Sequence, residues 1–136
     1  MKQLLSGIAV VCLVLTVMAG CRGGGTLYQV KDATIQTASG KEATMEEVQK
    51  AIIGAGAALN WQMAMVKPGE MLGTLNVRNH QAVVTIPYTT KAYSILYKDS
   101  NNLKYDADKQ TIHENYTGWI QRLDIAIRSR LTAAGQ

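Results

Sequence analysis

Phenylalanine is absent from this 136-residue chain, and cysteine, histidine, proline and tryptophan each occur only twice. These shortages exclude several chemistries before any pattern is read. A metal site would need His80 and His113 to converge with a carboxylate such as Asp99 or Glu114, yet there is no His-x-x-x-His or Glu-x-x-His pair. His113 and Glu114 are neighbours, so on a helix they point in different directions. Asp99, Ser100 and His113 are the residue types of a hydrolytic triad. Ser100 nevertheless lacks the Gly-x-Ser-x-Gly elbow that exposes a nucleophile, and Asp99-Ser100-Asn101-Asn102 reads as turn chemistry. No glycine-rich phosphate loop and no dinucleotide fingerprint is present. No catalytic residue, metal ligand or cofactor is assigned, and the chain reads as a non-enzyme.

Long apolar runs are also scarce. The longest uncharged one, Ile8 to Ala19, covers about 18 Å as a helix, short of the roughly 30 Å hydrocarbon core of a bilayer. With Lys2 before it and Met18-Ala19-Gly20-Cys21 at its end, it reads as a signal segment rather than a permanent span. Met18-Ala19-Gly20-Cys21 resembles the cleavage-and-lipidation box of bacterial lipoproteins, in which the cysteine becomes the acylated first residue. That resemblance implies residues 1–20 as signal peptide, 21–26 as acylated Cys21 and flexible tether, and 27–136 as one domain. It also implies an anchor of more than one acyl chain, each buried methylene contributing about 0.8 kcal/mol. Arg22, rather than an aspartate, follows Cys21. This favours the outer membrane, with the domain facing the periplasm.

Cys12 leaves with the signal and Cys21 carries lipid, so the mature fold has no disulfide and no thiolate for zinc or catalysis. Cleavage removes one lysine and no acid, taking the net charge from +4 to +3. The basic residues are scattered. Such a surface suits an anionic membrane but is too diffuse for nucleic acid.

Thr44-Met45-Glu46-Glu47 is a capping box, followed by Met45, Val48, Ile52, Ala55 and Leu59 at helical spacing. From Asn60 the period becomes two. Trp61, Met63 and Met65 share one strand face, Lys67-Pro68-Gly69-Glu70 is a turn, and strands follow through Leu72–Arg78, Gln81–Tyr88 and Ala92–Lys98. Asn79 is the expected left-handed residue of the Arg78–His80 turn. Leu27–Val30 and Thr34–Thr37 are short extended pieces, either an edge strand or more tether. Thr111-Ile112-His113-Glu114 repeats the capping pattern before the longest stripe: Ile112, Tyr116, Trp119, Ile120, Leu123, Ile127 and Leu131. The helix that carries this stripe, with Trp119 at its centre, is expected to be the lid of the core. Together these predict an α+β, two-layer domain: an antiparallel meander of about four strands, with one helix before and one after on the same face.

Tyrosine takes the place of phenylalanine. Tyr93 and Tyr97 share a strand face, with Tyr88 near them and Tyr105 beyond. These residues, with His80 and Asp99, are candidates for a partner or ligand surface, because tyrosine serves where one end is buried and the other wet. They are equally ordinary sheet residues. The preferred function is a lipid-anchored adaptor binding another envelope protein, or a second copy of itself. The alternative is a small-ligand or glycan-binding lipoprotein, and a metal-dependent or hydrolytic enzyme is the third.

Trp61, Pro68-Gly69, Arg78, His80, Ile86, Tyr88, Tyr93-Ser94-Ile95, Tyr97 and Asp99-Ser100 together resemble a family of small proteobacterial lipoproteins. The pattern continues through Leu103, Tyr105, Ile112-His113, Tyr116, Trp119 and Leu123. It covers about half the chain and implies a periplasm-facing, membrane-anchored α+β domain, without an activity.

Overall fold

The computed structural model describes residues 24–134. The signal segment 1–20, Cys21 and the tether up to residue 23 lie outside the described residues. In chain order the elements are β1 (Gly25–Thr26), β2 (Val30–Thr34), α1 (Met45–Ala58), β3 (Trp61–Lys67), β4 (Glu70–Val77), β5 (His80–Pro87), β6 (Ala92–Asn101), β7 (Thr111–Ile112) and α2 (Asn115–Ala133). Strands β3 to β6 form the expected meander, and β2 adds a fifth strand on the free edge of β6, giving the antiparallel order β2-β6-β5-β4-β3. A separate two-stranded sheet pairs β1 with β7.

The alternation of each strand decides which face is inside. Met71 and Leu75 of β4, Ala82, Val84 and Ile86 of β5, and Tyr93 and Ile95 of β6 are all buried on one face. Both helices cover that face, α1 packing on α2 and on β3. Ile120, Leu123, Ile127 and Leu131 of α2 are almost wholly buried there, and each contributes roughly 1.5–3 kcal/mol through removal from water. Gly56 shows how close the layers come: a Cβ on it would sit 2.5 Å from Met63 Cε of β3. Helix α1 therefore runs through its glycines to Ala58 and uses one of them as a packing surface against the sheet.

The first capping box forms as read. Thr44 Oγ1 accepts from the Glu47 N–H at 3.1 Å, and Glu47 Oε2 accepts from the Thr44 N–H at 2.8 Å. Thr44→Ala is expected to lower stability by about 1 kcal/mol, read as a shift in the urea midpoint at unchanged slope. Gly69 adopts φ +86°, the left-handed value its turn requires.

Four local expectations are corrected. The second capping box does not form, because Thr111 and Ile112 pair with Thr26 and Gly25 as strand β7. Helix α2 starts later, with Glu114 as N-cap and no side-chain cap bond; the Asn115 N–H donates to His113 Nδ1 at 3.2 Å. The pairing of Gly25 and Thr26 also draws the last tether residues into the fold. Asp99, Ser100 and Asn101 belong to β6 rather than to a loop, since a bulge opposite Val83 and Val84 lets the strand continue. In the Arg78-Asn79 turn, Arg78 rather than Asn79 takes positive φ, at +55°.

Candidate functional site

Where α1 ends and β3 begins, the chain turns through Asn60, at φ +64°. This places Trp61 beside the far ends of β4 and the β4–β5 turn. Helix α2 crosses the same end and presents Trp119 and Arg122, three residues apart and therefore neighbours on its surface. The result is a cleft of about 390 Å³ lined by Leu59, Asn60, Trp61, Leu75, Asn76, Val77, Arg78, Trp119 and Arg122. Its volume lies in the range of ligand pockets, roughly 300–1,000 Å³. Trp61 and Leu75 are buried and form the floor. Asn60, Asn76, Arg78 and Arg122 are exposed and form the rim.

The cleft carries positive charge and no acid in its lining. Among the described residues neither Arg78 nor Arg122 takes part in an ion pair; the pairs present are Lys50–Glu46, Lys67–Glu70 and Arg128–Asp124. Asn76 is held by the Gln81 side-chain amide, which donates to its Oδ1 at 3.0 Å. Two of the rim residues, Asn60 and Arg78, turn the chain here with left-handed backbones, at φ +64° and +55°. Trp119 is only half-buried. It forms a wall of this cleft, while Ile120, Leu123, Ile127 and Leu131 of the same helix close over the core.

The histidines meet at the back of the same end. The rings of His80 and His113 lie 5.4 Å apart, and His80 is 6.5 Å from Trp119. His80 Nδ1 is 2.7 Å from the Asn102 carbonyl oxygen, which accepts a hydrogen bond from it. No carboxylate joins them: among the described residues no three His, Cys, Asp or Glu side chains are grouped to hold a metal. The triad types are likewise engaged elsewhere. Asp99 Oδ1 accepts from the Ser100 N–H at 2.8 Å, and Ser100 Oγ is 2.8 Å from the Tyr97 hydroxyl.

The tyrosine surface is largely interior. Tyr88 and Tyr93 are buried to 3% and 1% exposure, because the face they share with Ala82, Val84 and Ile86 is the one under the helices. This corrects their placement as contact residues. Tyr97 and Tyr105 remain half-buried and stack with centroids 4.0 Å apart, Tyr116 meeting Tyr97 edge-on at 6.1 Å. Asp99 is exposed on β6. The Tyr97–Tyr105 pair, Asp99 and His80 thus stay accessible in part, but they do not line the cleft.

One arrangement had little signal in the sequence. The Tyr93 hydroxyl donates to Asp124 Oδ1, and Arg128 Nε donates to both Asp124 oxygens at 3.2 and 3.0 Å. Asp124 and Arg128 are four residues apart on α2, a spacing that points to a pair, but the burial of Asp124 follows only from where Tyr93 lies. Burial first, then the bonded Asp124 carboxylate, pushes the Tyr93 hydroxyl well above the usual tyrosine range. This network ties α2 to β6. It is structural.

A second hollow, about 480 Å³, lies between residues 35–42 and the Thr90–Lys91 turn bonded to them, and has no aromatic side chain in its lining. The Trp61–Trp119 cleft is therefore the better candidate. Comparison with protein-family models, curated proteins and solved structures finds no match to this chain.

Proposed function

We propose that this chain is a lipid-anchored protein of the bacterial envelope that binds a small anionic envelope component in the Trp61–Trp119 cleft without transforming it. The anchor rests on the lipoprotein-like Met18-Ala19-Gly20-Cys21 box and on the resemblance running from Trp61 to Ile127. The observation that carries the binding reading is the cleft itself: an apolar floor with two guanidiniums on its rim, neither of them in an ion pair among the described residues. A flat tyrosine patch, the feature an adaptor was expected to use, is instead half lost to the core.

The test is a tryptophan-fluorescence titration of the full-length protein in detergent, using soluble cell-wall saccharides in anionic and neutral forms. A saturable response to the anionic forms is expected, weakened about tenfold by Arg78→Gln or Arg122→Gln, the loss of one charge-assisted hydrogen bond. No saturable response in the unsubstituted protein would sink the reading. For the anchor, Cys21→Ser should abolish incorporation of labelled palmitate, and fractionation should place the wild type with outer-membrane markers.

A specific observation favours a second reading, that of an adaptor. On the sheet face away from the helices, Ala64, Leu72, Thr85 and Leu96 stand in register across four strands. This uncharged row is a surface for another envelope protein or a second copy of the chain. A discrete photo-crosslink from position 72 or 96, or a dimer by light scattering, would favour it.

A further inference from the structure

The anchoring point and the cleft lie at the same end of the domain. Residue 24 is three peptide units from Cys21, so the Cα of the proposed acylated residue is tied within about 11 Å of the start of the described chain. That start is fixed in place: Gly25 pairs with Ile112, and the next residue is His113. The His113 ring is 5.4 Å from His80, and His80 is 6.5 Å from Trp119, a wall of the cleft. A lipid on Cys21 holds this end, and not the opposite one, against the headgroups.

The cleft's chemistry matches that position. Tryptophan is favoured at the membrane–water interface, where its ring is apolar and its N–H can stay wet. Arginine recognises phosphate through a planar fork of donors, and basic residues are drawn to anionic leaflets. Arg78 and Arg122 stand on the rim without a counter-ion among the described residues. Glu114 lies beside His113 but outside the lining.

We propose that the cleft faces the bilayer that carries the anchor and takes the phosphate headgroup of an anionic phospholipid, with Arg78 and Arg122 on the phosphate and Trp119 at the interface. This deepens the binding reading above and rests on it and on acylation of Cys21. The membrane then supplies the ligand itself, and occupancy fixes the orientation of the domain.

The experiment uses the full-length acylated protein in phosphatidylethanolamine vesicles with and without phosphatidylglycerol. The chain has two tryptophans; Trp61 is kept because it forms the cleft floor, and being buried it leaves Trp119 as the accessible reporter. Nitroxide on the phosphatidylglycerol headgroup is expected to quench Trp119 more strongly than nitroxide on phosphatidylethanolamine. Each of Arg78→Gln and Arg122→Gln should reduce that preference about fivefold. Trp119→Phe, which leaves only the buried Trp61, sets the background to be subtracted for each labelled lipid. Equal quenching by the two labelled lipids overturns the proposal. So does full displacement by free glycerol phosphate at the concentration at which the lipid binds, which would make the occupant a soluble ligand. If anionic saccharides bind in detergent but labelled lipid does not discriminate, the binding reading stands and the membrane assignment falls. If neither binds, both fall.

Discussion

Asp124→Ala is expected to destabilise the fold by about 3 kcal/mol, lowering the melting temperature by about 10 °C. The carboxylate is 9% exposed and accepts from the Tyr93 hydroxyl and from Arg128. Its removal leaves the hydroxyl of a residue only 1% exposed with the Asp124 main-chain carbonyl, at 3.5 Å, as its remaining acceptor. A buried donor left with so long a contact costs about 1–3 kcal/mol, and loss of the charge-assisted bond adds to it. Arg128 behaves differently. Its side chain is 53% exposed, so Arg128→Ala should cost no more than about 1 kcal/mol. The double change Tyr93→Phe with Asp124→Ala should be milder than the two single effects added, because it removes donor and acceptor together. Urea unfolding of the four proteins checks this. Additivity within about 0.5 kcal/mol would show that the two side chains are not coupled.

The difference between those two substitutions also shows what the sequence makes legible. Features that depend on near neighbours were readable. The Thr44–Glu47 box closes between residues three apart, and the alternation of Ala82, Val84, Ile86 and Tyr88 defines one face whatever lies against it. Periodicity cannot say which face is covered. That is why Tyr88 and Tyr93 could be read as contact residues before the helices were placed on their side. The second capping box failed for a related reason. Thr111 and Ile112 have a local use as a helix start and a distant one as partners of Thr26 and Gly25, and the backbone ladder takes them. The cleft lies furthest from sequence patterns. Trp61, Arg78 and Trp119 come from a strand start, a turn and a helix. Only the register of the meander and the crossing of α2 bring them to one end.

Stability is expected to fall steeply above about pH 10, where free tyrosine ionises. Burial pushes the hydroxyls of Tyr93 and Tyr116 well above that value in the folded protein; Asp124 adds to the effect on Tyr93, and Tyr97 and Tyr105 add to it on Tyr116. A raised folded-state value fixes the sign. Below about pH 10 both states hold the proton and the full stability is present; above it the unfolded chain releases protons that the fold retains. Each tyrosine then contributes a slope of about −1.4 kcal/mol per pH unit, and the pair about −2.7. A domain stabilised by about 5–15 kcal/mol would unfold within a few pH units on these two groups alone. Tyr116 allows a clean test, because its buried hydroxyl finds no partner among the described residues. Tyr116→Phe should raise stability at neutral pH by about 1 kcal/mol, since an unpaired polar atom leaves the core. It should also cut the alkaline slope roughly in half. Urea midpoints followed with tyrosinate absorbance from about pH 9 to 12 measure both quantities. A slope unchanged by the substitution would mean that Tyr116 ionises within the folded protein, against the burial seen here.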